Sequence, residues 1–488
     1  MAVVATDGAR SSGVATVEGA GSSTRARHAA PRALLPAQFW VLTSLVGYVA
    51  LITVVYWPGQ MDADSLDEIH EAASGHFTNI HTPILSALWR VPYLMGIQSP
   101  GWVLAVGLLV MLIGFYLVLR VRFGRVVSTG VAVVLCTWPP VLSWAVHVGR
   151  DEWFTASLLC AFGFAARMGR MGRHQRTFNL VAALFMTFVC AASWQIAVIP
   201  LLPCFFVLAV MLLPRTAPHR ALVSCGVALV CCLGMYGVQL GAQKVLHTAQ
   251  AYNQQATFDY DLAQLSKMEG KVLFPRDMLT ESPKKAMAVF RNLTTGEFNQ
   301  IVFDNLGAQP PVYFLIDGRR EASLQQAWTK AIRHDPTGYL QVRTELLLVQ
   351  LAITQPSNWT FQVPSDPPGF NPLARALQDT GIRYLGLFSS DQNLWGDVLY
   401  SVWFYLLVSI AAVPILLWRR GPGDGVVAGL AVSAVLLTLA IWFTIPAMNY
   451  RYSYGIVVIG CAIAPVLWPR RRDVALGAVE SARGRSRR

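Results

Sequence analysis

"FWVLTSLVGYVALITVVYWPGQMDADSLDEIHEAASGHFTNIHTP", residues 39–83, sets a long apolar run directly beside five carboxylates (Asp62, Asp64, Asp67, Glu68, Glu71) and three histidines (His70, His76, His81). The apolar part, about 38–57, has the length of one membrane crossing, roughly 17–25 residues. It is too long for a signal-peptide core and lacks a small-x-small cleavage site, so it is expected to stay as a first span. Nine further runs follow at about 101–119, 127–147, 152–168, 177–193, 196–213, 220–240, 396–418, 424–444 and 453–468. Of the 488 residues, 54% are hydrophobic and 14% charged, against about 25% charged in a soluble domain. The sequence predicts an α-helical polytopic membrane protein of about ten transmembrane helices.

The arginines orient it. With 58–100 outside, the cytoplasmic pieces are 1–37, 120–125, 167–176, 214–220, 419–423 and 469–488. They hold 22 Arg, no Lys and, with Asp424, five acids, while the rest of the chain carries 17 basic and 22 acidic residues. This is a positive-inside pattern with both termini cytoplasmic. The net charge of +12 therefore reflects topology, and no basic stripe interleaved with aromatics points to nucleic acid. All eight cysteines fall inside predicted spans, which offers neither a disulfide framework nor a CxxC metal site. They read as small apolar filler.

The chain divides into a disordered cytoplasmic tail (1–37), a transmembrane core (38–240) containing the outer loop 58–100, an extracytoplasmic domain (241–395), C-terminal transmembrane helices (396–468) and a basic tail (469–488). The outer domain reads as mainly helical, with helical spacing over 283–292, 322–334 and 336–352 and Pro336 placed at a helix start. "QVPSDPPGFNPL" (362–373), with four prolines, breaks regular structure. Asn292 and Asn358 stand in glycosylation sequons.

The acidic loop has two readings. Asp64, Asp67, Glu68 and Glu71 fall at i, i+3, i+4 and i+7 on one helix face, with Leu66, Ile69, Ala72 and Ala73 opposite. This suits a short amphipathic helix on the outer membrane surface, capped by a Ser65–Glu68 capping box or by Asp64. The alternative is a site in which a carboxylate at the membrane boundary works beside cations that balance a phosphate. "HVGRDE" (147–152) supplies His147, Arg150, Asp151 and Glu152 on the same side. Charges so near hydrocarbon face a cavity or each other, although a short interfacial hairpin is the plain reading. "AMNYRYSYG" (447–455) adds Arg451 among Tyr450, Tyr452 and Tyr454, either an anion site or an aromatic belt with a snorkelling arginine. "AWTKAIRHDPTGYLQVR" (327–343) is a helix–Pro–helix ending at Arg343.

In this order the motifs resemble those of GT-C glycosyltransferases, multi-span enzymes that use polyprenyl-phosphate sugars on the outer face. One bacterial branch, similar to arabinofuranosyltransferase-like enzymes, has a first loop reading roughly "DS-x-D…G…WHPP", here "ADSLDEIHEAASGHFTNIHTP" (63–83). Its later "KD" stands as Arg150-Asp151, its "W…HP…Y…R" as 327–343, and its closing "RY" as Arg451-Tyr452. The departures are Ile80-His81-Thr82-Pro83 for Trp-His-Pro-Pro, arginine for lysine at 150, and "SWQIAVIP" (193–200), which lacks an expected charge. The resemblance implies an inverting transferase with Asp64 as general base, Asp62 as the alternative base, and Asp151 holding the acceptor or Arg150. Arg150, His81, Arg343 and Arg451 would bind the donor phosphate. A divalent cation on Asp62, Asp64 and Asp151 fits hard-cation chemistry. The implied partners are a polyprenyl-phosphate-linked sugar, a glycan, lipid or protein acceptor, and membrane lipids. The implied location is a bacterial plasma (inner) membrane. The rival is a lipid or solute transporter or flippase, for which the break at Trp138-Pro139-Pro140 is the one favourable feature.

Overall fold

The structure, a computed structural model, describes residues 34–169, 172–214, 216–252, 254–302, 310–314, 317–355, 372–387 and 398–469. Both tails, Asn358 and most of the proline-rich connector lie outside these residues. The described helices are α1 (Leu34–Tyr56), α2 (Ala63–Ser74), α3 (Pro83–Leu94), α4 (Gly101–Leu119), α5 (Arg125–Thr137), α6 (Pro139–Ala145), α7 (Arg150–Met168), α8 (Arg173–Ser193), α9 (Val198–Leu212) and α10 (Arg220–Val245). They continue with α11 (Gln255–Glu269), α12 (Pro283–Arg291), α13 (Asn299–Val302), α14 (Gly318–His334), α15 (Pro336–Gln350), α16 (Pro372–Gly386), α17 (Val402–Arg419), α18 (Asp424–Thr444) and α19 (Tyr450–Ile463).

Among the described residues eight helices are long and apolar enough to cross a membrane, with the α5–α6 pair, bent by 73°, a ninth if it is one broken span. The chain is a polytopic helical membrane protein. The remaining expected span, 152–168, is α7. It matches α4 at 19 residues, but its first turn carries Arg150, Asp151 and Glu152. It is buried along almost its whole length and packs between α4 and α8. The α4–α7 approach rests on small residues, as membrane helices lacking a hydrophobic drive require. A Cβ on Gly114 would lie 2.7 Å from Leu159 Cβ, and one on Gly163 would overlap Leu117.

The bend between α5 and α6 follows from Pro139 and Pro140: proline offers no N–H to continue a helix but suits the first position of a new one. The turn sends Val146–Val148 alongside the first outer loop. Gln60 N–H donates to the Val146 carbonyl (2.9 Å) and Val148 N–H to that of Gln60 (2.8 Å). The segment 445–449 comes to the same end, where Met448 N–H donates to the Gly296 carbonyl (3.0 Å). The arginine-rich connections occupy the other end. There Arg419 pairs with Asp424 (2.9 Å) and donates to the Val466 carbonyl (3.0 Å), and Arg176 donates to that of Met211 (2.6 Å). Cations beside exposed helix carbonyls are favourable.

The three outer helices expected from spacing are α12, α14 and α15. No amphipathic stripe announces α11, because nearly every residue from Phe258 to Ser266 is buried. Since α7 carries the charged first turn into the outer loops, its seat against α4 sets the site. Gly163→Ala is expected to cost about 1–3 kcal/mol, the range for overpacking a tight core. Thermal unfolding in detergent checks this, and an unchanged transition would contradict the close α4–α7 packing.

Candidate active site

Helix α2 begins at Asp62, whose extended backbone (φ −101°, ψ −175°) suits an N-cap. Asp62 Oδ1 accepts from both the backbone N–H and the hydroxyl of Ser65, each at 2.8 Å. The expected Ser65–Glu68 box does not form, and Asp64 is not the cap. Glu68 is turned toward Arg150 instead, with its Oε1 3.8 Å from Nε. The surface-helix reading fails for the same reason. Glu68 and Glu71 are 2% and 3% exposed, while Leu66 is 53% exposed. A buried carboxylate needs a partner, and arginines from α7 and α19 lie under this face. Only Asp67 keeps a solvated position. Glu71 is structural: Oε1 accepts from the Thr78 N–H and hydroxyl (2.8 and 2.7 Å), and Oε2 from the Ser86 hydroxyl (2.8 Å).

Two arginines gather the acids. Arg451 Nη1 lies 2.7 Å from Asp64 Oδ2 and 2.9 Å from Asp62 Oδ2. Arg150 Nη2 lies 3.3 Å from the same Asp64 oxygen, and its Nη1 is 2.5 Å from His81 Nδ1. A guanidinium only donates, so His81 Nδ1 accepts and its proton sits on Nε2. That Nε2–H is buried without a partner. Asp62, Asp64, Glu68, Arg150, Asp151 and Arg451 share the walls of one narrow crevice with Trp144 and His147, whose rings stack at 3.9 Å.

The charges in the loop are strongly perturbed. Burial pulls the Asp64 carboxyl upward, but Arg451 and Arg150 outweigh it and hold it at about 2. Asp62 is likewise held down, by Arg451 against burial. Burial drives Glu68 well above the carboxylate range despite Arg150. Burial, and then Arg150, lower His81 to about 3, so it is neutral at ordinary pH. Asp64 has a depressed pKa in the fold, so it contributes stability above its usual titration range and loses it as pH falls toward about 2.

Of the expected site residues, Asp62, Asp64, His81, Arg150, Asp151 and Arg451 come together. Arg343 does not. It is fully buried, donating to Asp261 Oδ2 (2.6 Å) and the Ile445 carbonyl (2.6 Å). Trp328 Nε1–H donates to the same Asp261 oxygen (2.8 Å). The motif at 327–343 is thus a clasp between α11 and the segment before α19. Among the described residues no group of three or more His, Cys, Asp or Glu could hold a metal ion, and the cationic partner of Asp62 and Asp64 is Arg451. The aromatic-belt reading of Arg451 gives way to burial: its guanidinium lies over the Tyr452 ring (5.1 Å), while the Tyr450 and Tyr454 hydroxyls donate to Pro140 and Val141 carbonyls (2.9 and 3.0 Å).

Trp194 and Gln350 had no clear signal, and Glu152 was named only within the 147–152 stretch. Glu152 is 3% exposed, with neither oxygen bonded. Trp194, in the segment lacking a charge, stacks on Tyr452 (6.4 Å). Gln350 brackets Asn449, donating to its carbonyl (2.7 Å) and accepting from its N–H (2.9 Å), while Asn449 Oδ1 accepts from Arg451 N–H (3.1 Å).

Removing one partner of a buried pair costs about 3–5 kcal/mol. Arg343→Ala is therefore expected to lower the thermal transition strongly, with Arg343→Lys a poor substitute because its single ammonium cannot span both acceptors. A wild-type transition in Arg343→Ala would refute the clasp.

No protein-family model and no curated protein matches the chain. Solved structures of ArnT from Cupriavidus metallidurans align with it over 88% of this chain and 78% of theirs. The apo state does so at 15% identity and TM-score 0.32. The undecaprenyl phosphate-bound state does so at 14% identity and TM-score 0.32.

Proposed function

We propose that this chain is a GT-C-type membrane glycosyltransferase that moves a sugar from a polyprenyl-phosphate donor to an acceptor hydroxyl, with inversion. The observation that carries it is the convergence of Arg150 and Arg451 on Asp64, with neutral His81 against Arg150, at one end of the helix bundle. Paired guanidiniums bind phosphate through a fork of N–H donors. A carboxylate beside them can take the proton of an attacking hydroxyl.

The step balances simply. The acceptor oxygen bonds to the anomeric carbon, and the bond from that carbon to the phosphate oxygen breaks on the opposite face. The acceptor proton passes to Asp64. The lipid phosphate leaves with the electron pair, its charge met by Arg150, Arg451 and the His81 Nε2–H. Asp151, 6% exposed with Oδ1 unbonded, is placed to hold the acceptor or to orient Arg150. The acceptor is a glycan, lipid or protein hydroxyl. The site opens on the extracytoplasmic face of the plasma membrane, with both termini cytoplasmic, 241–395 forming the outer domain and 396–468 the closing spans.

A transporter or flippase would keep its site near mid-bilayer at paired broken helices. Here the charged cluster stands at the bundle end, and among the described residues the α5–α6 break is the single bent pair.

With radiolabelled polyprenyl-phosphate sugars and membrane extract, Asp64→Asn is expected to lose transfer by about 10²–10⁴-fold. Arg150→Ala should lose about 10²–10³-fold, while exposed Lys285→Ala keeps wild-type rates. A fully active Asp64→Asn enzyme would remove Asp64 as base, and no transfer with any donor would return the protein to the transporters. For orientation, Ser282→Cys is expected to react with an impermeant maleimide from outside intact cells; labelling only after permeabilisation would invert the topology.

A further inference from the structure

Asp62 and Asp64 look equivalent in sequence, and both reach Arg451, yet they are held differently. Asp62 uses both oxygens. Oδ1 is committed to the Ser65 N–H and hydroxyl and Oδ2 to Arg451. Its backbone is tied down as well, by the α2 cap and by the bridge from Gln60 to His147 two residues earlier. Asp64 makes its ion pairs with Arg451 and Arg150 through Oδ2 alone. Its side chain is 31% exposed, against 16% for Asp62. One acid is anchored at two points, and the other hangs on the arginines by one atom.

The Nη groups of both arginines are already engaged, while their buried Nε–H groups have no hydrogen-bond partner. Arg451 Nη1 serves two carboxylates, and Arg150 spreads over Asp64, Glu68 and His81. The crevice walls carry more acids than bases. A phosphate anion brought to these guanidiniums would find carboxylate oxygens on their donor edges, and an added unpaired charge in a buried site is costly. Carboxylate and phosphate present the same kind of oxygen edge to a guanidinium fork, so one can take the place of the other.

Resting on the transferase reading above, we propose that Asp62 is the fixed positioning residue of Arg451, whereas Asp64 and the donor's phosphate compete for the same guanidinium edges. Seating the donor frees Asp64 from Arg451 and Arg150 while Asp62 keeps Arg451 in place. The freed carboxylate recovers basicity at the moment a sugar is present to be attacked. Bonded to both arginines, it is held at about 2 and is a poor acceptor of a hydroxyl proton. The base is therefore masked until the donor arrives, and it is already next to the anomeric carbon when unmasked.

The experiment is equilibrium binding of sugar-free polyprenyl phosphate to the full-length protein in nanodiscs, which requires no turnover. Asp64→Asn is expected to bind this probe about ten-fold or more tightly than wild type, the equivalent of roughly 1.4 kcal/mol, because the arginines lose their internal competitor. Asp62→Asn keeps the helix cap, since asparagine caps as well as aspartate. It is expected to bind the probe about ten-fold more weakly, because Arg451 loses its charged anchor. Equal or weaker binding by Asp64→Asn would overturn the competition, and tighter binding by Asp62→Asn would overturn the division of roles. A wild-type protein that binds the probe but shows either result refutes this proposal alone. A wild type that binds no lipid phosphate overturns the transferase reading with it.

Discussion

The Arg451 guanidinium, held between Asp62 and Asp64, is the contact on which the outer end of the molecule depends. It joins the last transmembrane helix to the first outer loop, almost the full length of the chain apart. Neither partner is stable there alone. An arginine in the first turn of a membrane helix is costly without a counter-ion, and two adjacent carboxylates repel without a cation between them. Closing the pair orients α2 so that its acids face inward. The usual amphipathic logic is then inverted, with Leu66 outside and Glu68 inside. Arg150 extends the arrangement to α7 and His81.

Helices α11 and α15 contribute by holding the ends of these elements. Arg343 grips Asp261 and the Ile445 carbonyl, and Gln350 brackets the Asn449 backbone. Asn449 in turn caps α19 through the Arg451 N–H. The bonds to Ile445, Asn449 and Arg451 are buried or partly buried and hold the short segment that aims Arg451, so they fix the start of one helix as a bracket fixes a hinge. On the other side, the turn at Pro139–Pro140 and the Gln60–His147 bridge fix where α7 begins. A site split among the first loop, α7 and α19 requires such rigid mounts, because an error of about 1 Å in placing a catalytic group is costly in rate.

Membrane character, the expected spans and the gathering of titratable residues in three outer segments were legible in the chain. Apolar runs of membrane length and arginine bias are local, one-dimensional signals. Helix α7 shows where that legibility thins: Arg150–Glu152 weaken its apolar signal, although packing against α4 and α8 places it at the centre. The face of α2 was not legible. Spacing put Asp64, Asp67, Glu68 and Glu71 on one side, but which side is buried depends on Arg150 and Arg451, far away in sequence. Arg343 was misplaced for a related reason: its motif sits beside the site in order, yet Asp261 lies on α11, whose uniformly buried sequence shows no stripe. Trp194 and Gln350 act through stacking and backbone contacts, which leave no mark in composition.

The location of the charges argues for chemistry at a boundary. A cluster of this size in mid-bilayer would have to pay full desolvation for each ion. At the bundle end it is half-screened by outer loops, while the spans below stay apolar. A lipid-linked substrate is divided in the same way, with an apolar tail for the hydrocarbon and a phosphate at its edge. Arg150 and Arg451 stand in the first turns of their helices, where the helix N-terminus adds its own positive field. Two guanidiniums and two helix ends thus point their positive charge at one small volume. The carboxylates that now neutralise it, Asp62 and Asp64, are what keep so much positive charge compatible with a folded membrane protein. In the proposed reaction, an anion that takes one of those places replaces an interaction already present, so a lipid phosphate would bind and leave without reorganising the helices around it.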